Sequence, residues 1–414
     1  MDSRIPKFYE KSLEERLATI KEFASLNEEE VGFLKKCGAL DFETADRMIE
    51  NVYSTFQLPL GVATNFIING TPRLVPFALE EPSVVAAASN AAKLSSGFEA
   101  RASEPVMIGQ VQITNCKNPK EAIEEILAKE KELIEKANGA DSTLVKFGGG
   151  ARKIEAREIK TARGSMVVLH LLVDVRDAMG ANAINTMCER ISKDIEKLSK
   201  GKVRLKIISN LAVHRTVKAK TVWTKEVLGE ETIENVLDAY EFAANDVYRA
   251  ATHNKGIMNG IDAVVIATGN DFRAVEAGAH AFASISGTYK PLTKYYKNRD
   301  GNLVGEIELP VAVGTVGGAT RTHPLAQINL KILGVKKASE LAEIIASVGL
   351  AQNFAAMKAL ATEGIQRGHM KLHAKNIAIT AGAKGAEIDE IAKRMAEEKN
   401  ISVGRAKEIL EAKK

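Results

Sequence analysis

Cysteine, long apolar runs and concentrated charge are what this sequence has least of. Its three cysteines, Cys37, Cys116 and Cys188, are odd in number, far apart and in no CxxC pair. Such spacing excludes a disulfide framework and a structural zinc site, and it points to a reducing, intracellular setting. The best apolar run, Met166 to Val175, is too short to span a bilayer, and Met1 to Lys11 is polar, without the apolar core of a signal peptide. A soluble, cytoplasmic protein with no membrane partner is expected. The formal charge of +4 comes from 57 basic and 53 acidic residues spread along the chain. Without a basic block, nucleic acid is not an expected partner. Lys35-Lys36 and the group Arg215, Lys218, Lys220, Lys225 read as solvated faces. No internal repeat and no low-complexity tract occurs, and no GxGxxG follows a strand, so a Rossmann site is not indicated.

What is present is a chain of 414 residues, 45% hydrophobic, enough for two or three domains with their own cores. Ser12-Leu-Glu-Glu15 fits a capping box, and Leu13, Leu17, Ile20 and Ala24 follow helical spacing. Asn69-Gly70 between Phe66-Ile-Ile68 and Leu74-Val75 predicts a β-hairpin. Pro105 to Thr114 reads as a strand, Pro119 to Ala137 as a helix, and Arg152 to Ile159 and Met166 to Asp174 as two strands. Helix Met179 to Leu198 and strand Val203 to Ser209 complete β-α-β-β-α-β, the ferredoxin-like order. Helices then return at Glu231 to Ala251, Phe272 to Ser284 and Ala338 to Leu372, with strand and turn material at Tyr289 to Gly318. An α+β fold follows: a large, mostly helical, discontinuous domain (1–104 and 214–365), an inserted ferredoxin-like domain (105–213) and a helical C-terminal flap (366–414). Gly382 and Gly385 give that tail hinges, which suits a mobile lid.

Several residues have the chemistry of a site. Glu80-Glu81-Pro82-Ser83 sets a carboxylate on a stiff turn ahead of the apolar run Val84 to Ser89. Proline biases its predecessor away from helix, so Glu81 is expected just outside a helix that starts near Ser83. A surface carboxylate flanking a turn is the plainer alternative. Lys255 reads as lying on a tight turn before a buried strand, Ala263 to Ala267, with Asp271 at its far end. A buried ammonium there would steady negative charge on a carbonyl oxygen; a solvated turn lysine is the alternative. Asp271 suits both helix capping and catalysis: near Lys255 it would keep the amine protonated, and near Glu81 it would favour a protonated, donating carboxyl. His369 and His373 lie four apart, but no third ligand with HExxH-type spacing joins them. A lone acid histidine fits better than a metal pair, and no metal is expected. Arg176-Asp177-Ala178-Met179-Gly180-Ala181-Asn182 opens a helix after a strand, where free N–H groups attract pyrophosphate. Gly148-Gly149-Gly150 and Gly314-Thr-Val-Gly317-Gly318 are further flexible loops, and ordinary turns are the alternative for all three.

Glu81-Pro-Ser83, Asp177-Ala-Met-Gly-Ala-Asn182, Thr252-His-Asn-Lys-Gly-Ile-Met-Asn-Gly260, Gly269-Asn-Asp271 and Gly368-His-Met370, in this order, resemble hydroxymethylglutaryl-coenzyme A reductase. Glu80-Glu81-Pro82 and Arg367-Gly368-His369 are similar to its class II branch. The resemblance implies that Glu81, Lys255, Asp271 and His369 are catalytic and that Ser83, Arg249, Gln352 and Asn353 hold substrate. It implies that the inserted domain binds a nicotinamide nucleotide, lined by Asp177, Met179, Gly180, Asn182 and Asn210, with Asp141 near the adenosine ribose. A carboxylate there would accept from a 2′-hydroxyl and repel a 2′-phosphate, so NADH is expected over NADPH. Coenzyme A enters as part of the substrate, and a homodimer or larger assembly with shared active sites is implied, Glu50-Asn51-Val52 resembling the dimer segment. Phosphorylation after the catalytic histidine is not expected, since His373-Ala-Lys-Asn376 has no serine. Phe8-Tyr9 stands where an arginine for coenzyme A is expected, leaving Lys375 as the candidate. A coenzyme A thioester hydrolase or lyase using Glu81 and His369 is the rival reading.

Overall fold

The computed structural model describes residues 2–38, 40–362, 374–398 and 400–412. The chain opens with helices α1 (Leu13–Ala24), α2 (Glu28–Lys35) and α3 (Phe42–Met48). The first carries the capping box in both directions: Ser12 N–H donates to Glu15 Oε2 at 2.7 Å and Glu15 N–H to Ser12 Oγ at 3.2 Å. Strands β1 (Leu60–Ile68) and β2 (Thr71–Ala78) form the expected hairpin. Asn69 and Gly70 both have positive φ, 49° and 74°, the geometry that an Asn-Gly turn accommodates. Next come α4 (Val84–Leu94) and β3 (Phe98–Ala102).

The insert runs β4 (Val106–Thr114), α5 (Pro119–Ala128), α6 (Glu130–Asn138), α7 (Ser142–Lys146), β5 (Gly150–Thr161), β6 (Gly164–Asp174), α8 (Ala181–Ser199) and β7 (Lys202–Ser209). Its four strands lie in the order β5-β6-β4-β7, all antiparallel, which is the ferredoxin-like sheet. The single helix expected over Pro119 to Ala137 is two, joined at Lys129. A side chain on Gly109 of β4 would sit 2.5 Å from Cys188 Sγ of α8, so glycine is what lets that helix lie close. Both ends of the insert leave from paired strands: Ser103 N–H donates to Thr216 O at 2.8 Å.

After the insert come β8 (Thr216–Trp223), α9 (Lys225–Leu228), α10 (Glu230–Asn245), α11 (Val247–Ala267), α12 (Phe272–Ala283), β9 (Thr293–Lys297) and β10 (Leu303–Pro310). Helices α13 (Gly318–Thr322), α14 (Pro324–Leu333) and α15 (Ala338–Ala361) close the body. Its sheet has the order β2-β1-β3-β8-β10-β9, and α15 packs across it with α11 and α4 alongside. Trp223 anchors this core, stacked on Phe354 with ring centroids 3.8 Å apart and donating to Ala91 O at 3.1 Å.

Two expectations are corrected here. Ala263 to Ala267 is the last turn of the 21-residue α11, so Lys255 is mid-helix rather than on a turn. An apolar run buried on every side reads alike as strand or helix, and here length decides. Nor is Met166 to Val175 the longest apolar stretch. Helix α15 has the length and composition to cross a bilayer, but 67% of its apolar window is buried inside the protein as a core helix. In the tail, helices Ala386–Glu397 and Val403–Glu411 share a small core of their own with Ala374, Ala378, Ile391, Met395 and Ile409.

Candidate active site

Glu81 lies where proline was expected to hold it, on the turn between β2 and α4. Ser83 takes the left-handed conformation at the N-cap of α4, φ 78°, and its side chain makes no cap bond. Its Oγ is buried without a partner. A strained serine with an unspent hydroxyl is a costly arrangement, and such residues collect at ligand sites. Glu81 Oε2 meets Lys255 Nζ at 3.2 Å, joining two motifs 174 residues apart. The lysine side chain is 62% exposed, so the pair is open to solvent and contributes little to stability.

Close packing of α11 on α15 sets the surroundings. A Cβ on Gly260 would meet Gln352 Cβ at 3.0 Å, and one on Gly349 would meet Ile261 at 2.9 Å. Arg249, in the first turn of α11, is half-buried; its backbone N–H donates to the N-cap Asp246 at 2.7 Å, while its guanidinium has no hydrogen-bond or ion-pair partner among the described residues, and burial weakens its hold on its proton. Gln352 is buried with Oε1 unpartnered. Asn353, one residue on, is committed to the core. Its Oδ1 accepts from Tyr295 at 2.8 Å and Thr293 at 3.1 Å, while Nδ2 donates to His253 O at 3.3 Å. His253 is a polar residue that sequence reasoning quoted but gave no role. It is buried, pairs through Nε2 with Thr293 Oγ1 at 2.6 Å, and burial with nearby Arg249 pushes its pKa down to about 3. A neutral imidazole with Nδ1 unpartnered is the result.

Asp271 does not join Glu81 and Lys255 within this chain. It caps α12, accepting from Arg273 N–H at 3.0 Å and Ala274 N–H at 3.2 Å, and pairs with the Arg273 side chain at 3.1 Å. His369 and His373 lie outside the described residues. Lys375 is paired with Asp389 of the tail.

The second candidate cluster is at the start of α8. Gly180 is its N-cap with φ 100° and no side-chain cap, and a Cβ there would strike Val175 at 2.4 Å. The first N–H groups of a 19-residue helix are thereby left open beside Ala181 and the exposed Asn182. Asp177 accepts from Ala338 N–H at 2.8 Å, so it caps α15 and ties insert to body. Met179 is half-buried in the same loop, and Asn210 backs onto Gly278, where a Cβ would meet Asn210 O at 2.6 Å. Asp141 caps α7 through Leu144 N–H at 2.9 Å.

Arg215 corrects the solvated-face reading. It is 6% exposed and donates to Ala178 O at 3.0 Å, Met179 O at 3.3 Å and Val313 O at 2.5 Å. Burial brings its pKa down to about 10, against the pull of Asp177 and Asp174. It is the internal strut of the 177–180 loop. Its place between the apolar Val213 and Val217 was the available signal.

A ferredoxin-like insert in a body of helices packed on a six-stranded sheet, with the acid of the β2–α4 turn meeting the ammonium of α11, defines a two-sheet α+β enzyme. The family profile of hydroxymethylglutaryl-coenzyme A reductase matches residues 12–374. The chain is 58% identical over 415 residues to the 3-hydroxy-3-methylglutaryl-coenzyme A reductase of Archaeoglobus fulgidus, across 99% of this chain and 95% of that one. It is 39% identical over 378 residues to the probable enzyme of Borreliella burgdorferi, across 89% and 85%. The class II reductase of Streptococcus pneumoniae, solved bound to NADPH, superposes with TM-score 0.83 at 44% identity over 97% of this chain and 99% of that one. A second structure from that organism gives TM-score 0.85 at 43% identity over 99% of both chains. The chain belongs to the hydroxymethylglutaryl-coenzyme A reductase family.

Proposed function

We propose that the protein interconverts 3-hydroxy-3-methylglutaryl-coenzyme A and mevalonate plus coenzyme A, in mevalonate synthesis or breakdown. The observation that carries the reading is the Glu81–Lys255 contact at 3.2 Å between the β2–α4 turn and α11. The family's nicotinamide nucleotide fits the start of α8, where a glycine no other residue can replace without a clash leaves helix N–H groups open to a pyrophosphate. Met179, Gly180 and Asn182 would line it, with Asp177 and Asn210 framing the loop. When bound, each nucleotide would supply one hydride, so the full reduction would take two nucleotides in succession.

Lys255 is placed to bear on the thioester carbonyl oxygen and to stabilise the alkoxide that follows the first reduction. Glu81, in contact with it, would give the proton that the final alcohol keeps. Collapse of the hemithioacetal breaks the carbon–sulfur bond, and His369 would protonate the departing thiolate. Arg249 is free to take the substrate carboxylate, and Ser83 Oγ and Gln352 Oε1 are unspent polar atoms for the rest of the acyl group. Asn353, engaged in the core, would act by holding its neighbours.

Asp271 serves the same chemistry if a second copy brings it to Lys255. Ile49, Tyr53 and Phe56 are 65%, 94% and 93% exposed around Glu50-Asn51-Val52, which supports burial of this segment in a homodimer or an assembly of dimers. Segment 105–213 would be the nucleotide domain and 366–414 a flap that brings His369 over the substrate. Asp141 would tip selection toward NADH, although NADPH is the nucleotide in the Streptococcus structure. The three free cysteines suit a reducing cytoplasm.

Absorbance of the reduced nucleotide tests the reaction. Consumption on adding hydroxymethylglutaryl-coenzyme A is expected. Thiol release without consumption would mean hydrolysis and overturn the proposal. His369→Gln should slow thioester reduction far more than reduction of free mevaldehyde, from which no thiolate leaves; equal losses would remove its role.

A further inference from the structure

Asp262 is a carboxyl in the apolar stretch Ile261-Asp-Ala-Val264, and the reaction above makes no use of it. It lies seven residues beyond Lys255 on α11, two turns along the same face and about 10 Å away. Its carboxyl lies against that of Glu276 of α12, and its Oδ1 is buried without a partner. Two carboxylates repel; two carboxyls form a hydrogen bond only when a proton lies between them. On its other side Glu276 pairs with His280 Nε2 at 2.5 Å, and His280 Nδ1 meets Tyr289 OH at 2.6 Å. Tyr289 directly precedes Lys290, whose carbonyl accepts from Asn254, the residue before Lys255, at 2.9 Å. Asn254 also receives Leu292 N–H at 3.0 Å. The circuit therefore leaves α11 at Asp262, crosses α12 and returns to α11 beside Lys255.

We propose that Asp262, Glu276 and His280 form a proton-holding clasp between α11 and α12 that sets where Asp271 is presented relative to Lys255. Asp262 is thus a positioning residue. The inference rests on the catalytic reading of Lys255 and Asp271, whichever subunit's site each serves. Asp271 begins α12 five residues before Glu276, so any movement of α12 against α11 moves it. The cluster's titratable groups are Asp262 from α11, Glu276 and His280 from α12, and Tyr289 ahead of β9. The neighbouring cations are engaged elsewhere: Lys255 with Glu81, Arg273 with Asp271, and Lys290 with Ala244 O. Burial first, and Glu276 second, push the Asp262 pKa up to about 8. His280 holds Glu276 below the usual carboxylate range, and Glu276 raises His280. The shared proton is present at neutral pH and lost in mild alkali, where the two carboxylates repel and the clasp opens.

The test is kcat for mevaldehyde reduction by the full-length enzyme between about pH 6 and 10, a half-reaction with no leaving thiolate. The wild type should lose activity through an apparent pKa near 8. Asp262→Asn keeps a donor toward Glu276 but cannot titrate, so it should lose that step. Glu276→Gln, which donates from the other side, should lose it too. Asp262→Ala should lower kcat about tenfold or more with KM for the nucleotide unchanged, since small misplacements of catalytic groups are costly. An infrared band of a neutral carboxylic acid should be present in the wild type at pH 7 and absent in Asp262→Asn. An unchanged alkaline step in both amide variants, or a band that survives in Asp262→Asn, overturns the clasp. An active Lys255→Ala instead overturns the catalytic reading on which it rests, so the two failures are told apart.

Discussion

At the start of α8 the insert presents open backbone N–H groups held by buried parts, Gly180 against Val175 and Arg215 across three carbonyls. Around α11 the body presents open side chains, the Glu81–Lys255 pair and the half-buried Arg249, whose guanidinium has no partner among the described residues, while Asp271 turns away to Arg273. The first region is finished within one chain. The second is unfinished, and its charges become productive only when substrate and a further carboxylate shut out water, because exposed pairs are weak and dry ones are not. A rigid cradle and an open charge pair ought to fail differently when altered, and variants can expose that contrast.

The largest effect belongs to the open side. Lys255→Ala should reduce kcat about 10³-fold, about 4 kcal/mol of transition-state stabilisation, with an unchanged melting curve. Activity within about tenfold of wild type, about 1.4 kcal/mol, would remove the oxyanion role. The rigid side should show the opposite pattern. Arg215→Met leaves three carbonyls without their donor and should cost about 3 kcal/mol in chemical denaturation, with a raised KM for the nucleotide. A fully stable variant would deny the strut. Gly180→Ala forces a left-handed alanine into Val175 and should cost about 2 kcal/mol while raising the same KM. Asp141→Ala should leave stability nearly untouched and relax discrimination against NADPH about tenfold, about 1.4 kcal/mol; unchanged preference would defeat the ribose argument.

A pH titration of stability gives the mildest contrast. Asp262 holds its proton to about pH 8 in the folded protein and to 3.8 as an ordinary aspartate. The folded state therefore binds more protons between those values, and this group's contribution declines as pH rises through that window. Asp262→Asn should flatten that decline, and an unaltered slope would assign it to other groups.

Local chemistry was legible in the sequence. The capping box, the Asn-Gly hairpin and the β-α-β-β-α-β order each depend on neighbours a few residues apart, and each appears in the structure. The meeting of Glu81 with Lys255 was legible only through motif resemblance, since nothing local links residues 174 apart. What escaped was set by tertiary environment. Ala263 to Ala267 is helical because α15 and the sheet bury it all round, which erases periodicity. Arg215 looked like one cation among several until three carbonyls closed on it. Asp262 was the informative exception that went unread, an acid inside an apolar helix.

The central claim is that Lys255 and Glu81 of one chain act with Asp271 of another. Mixing Lys255→Ala with Asp271→Ala, each inactive alone, tests it after subunit exchange. Half of the dimers are then mixed and each has one intact site, so hydroxymethylglutaryl-coenzyme A reduction should recover to about a quarter of wild type. A mixture that exchanges subunits yet stays inactive would place Asp271 in the same chain's site and contradict the account.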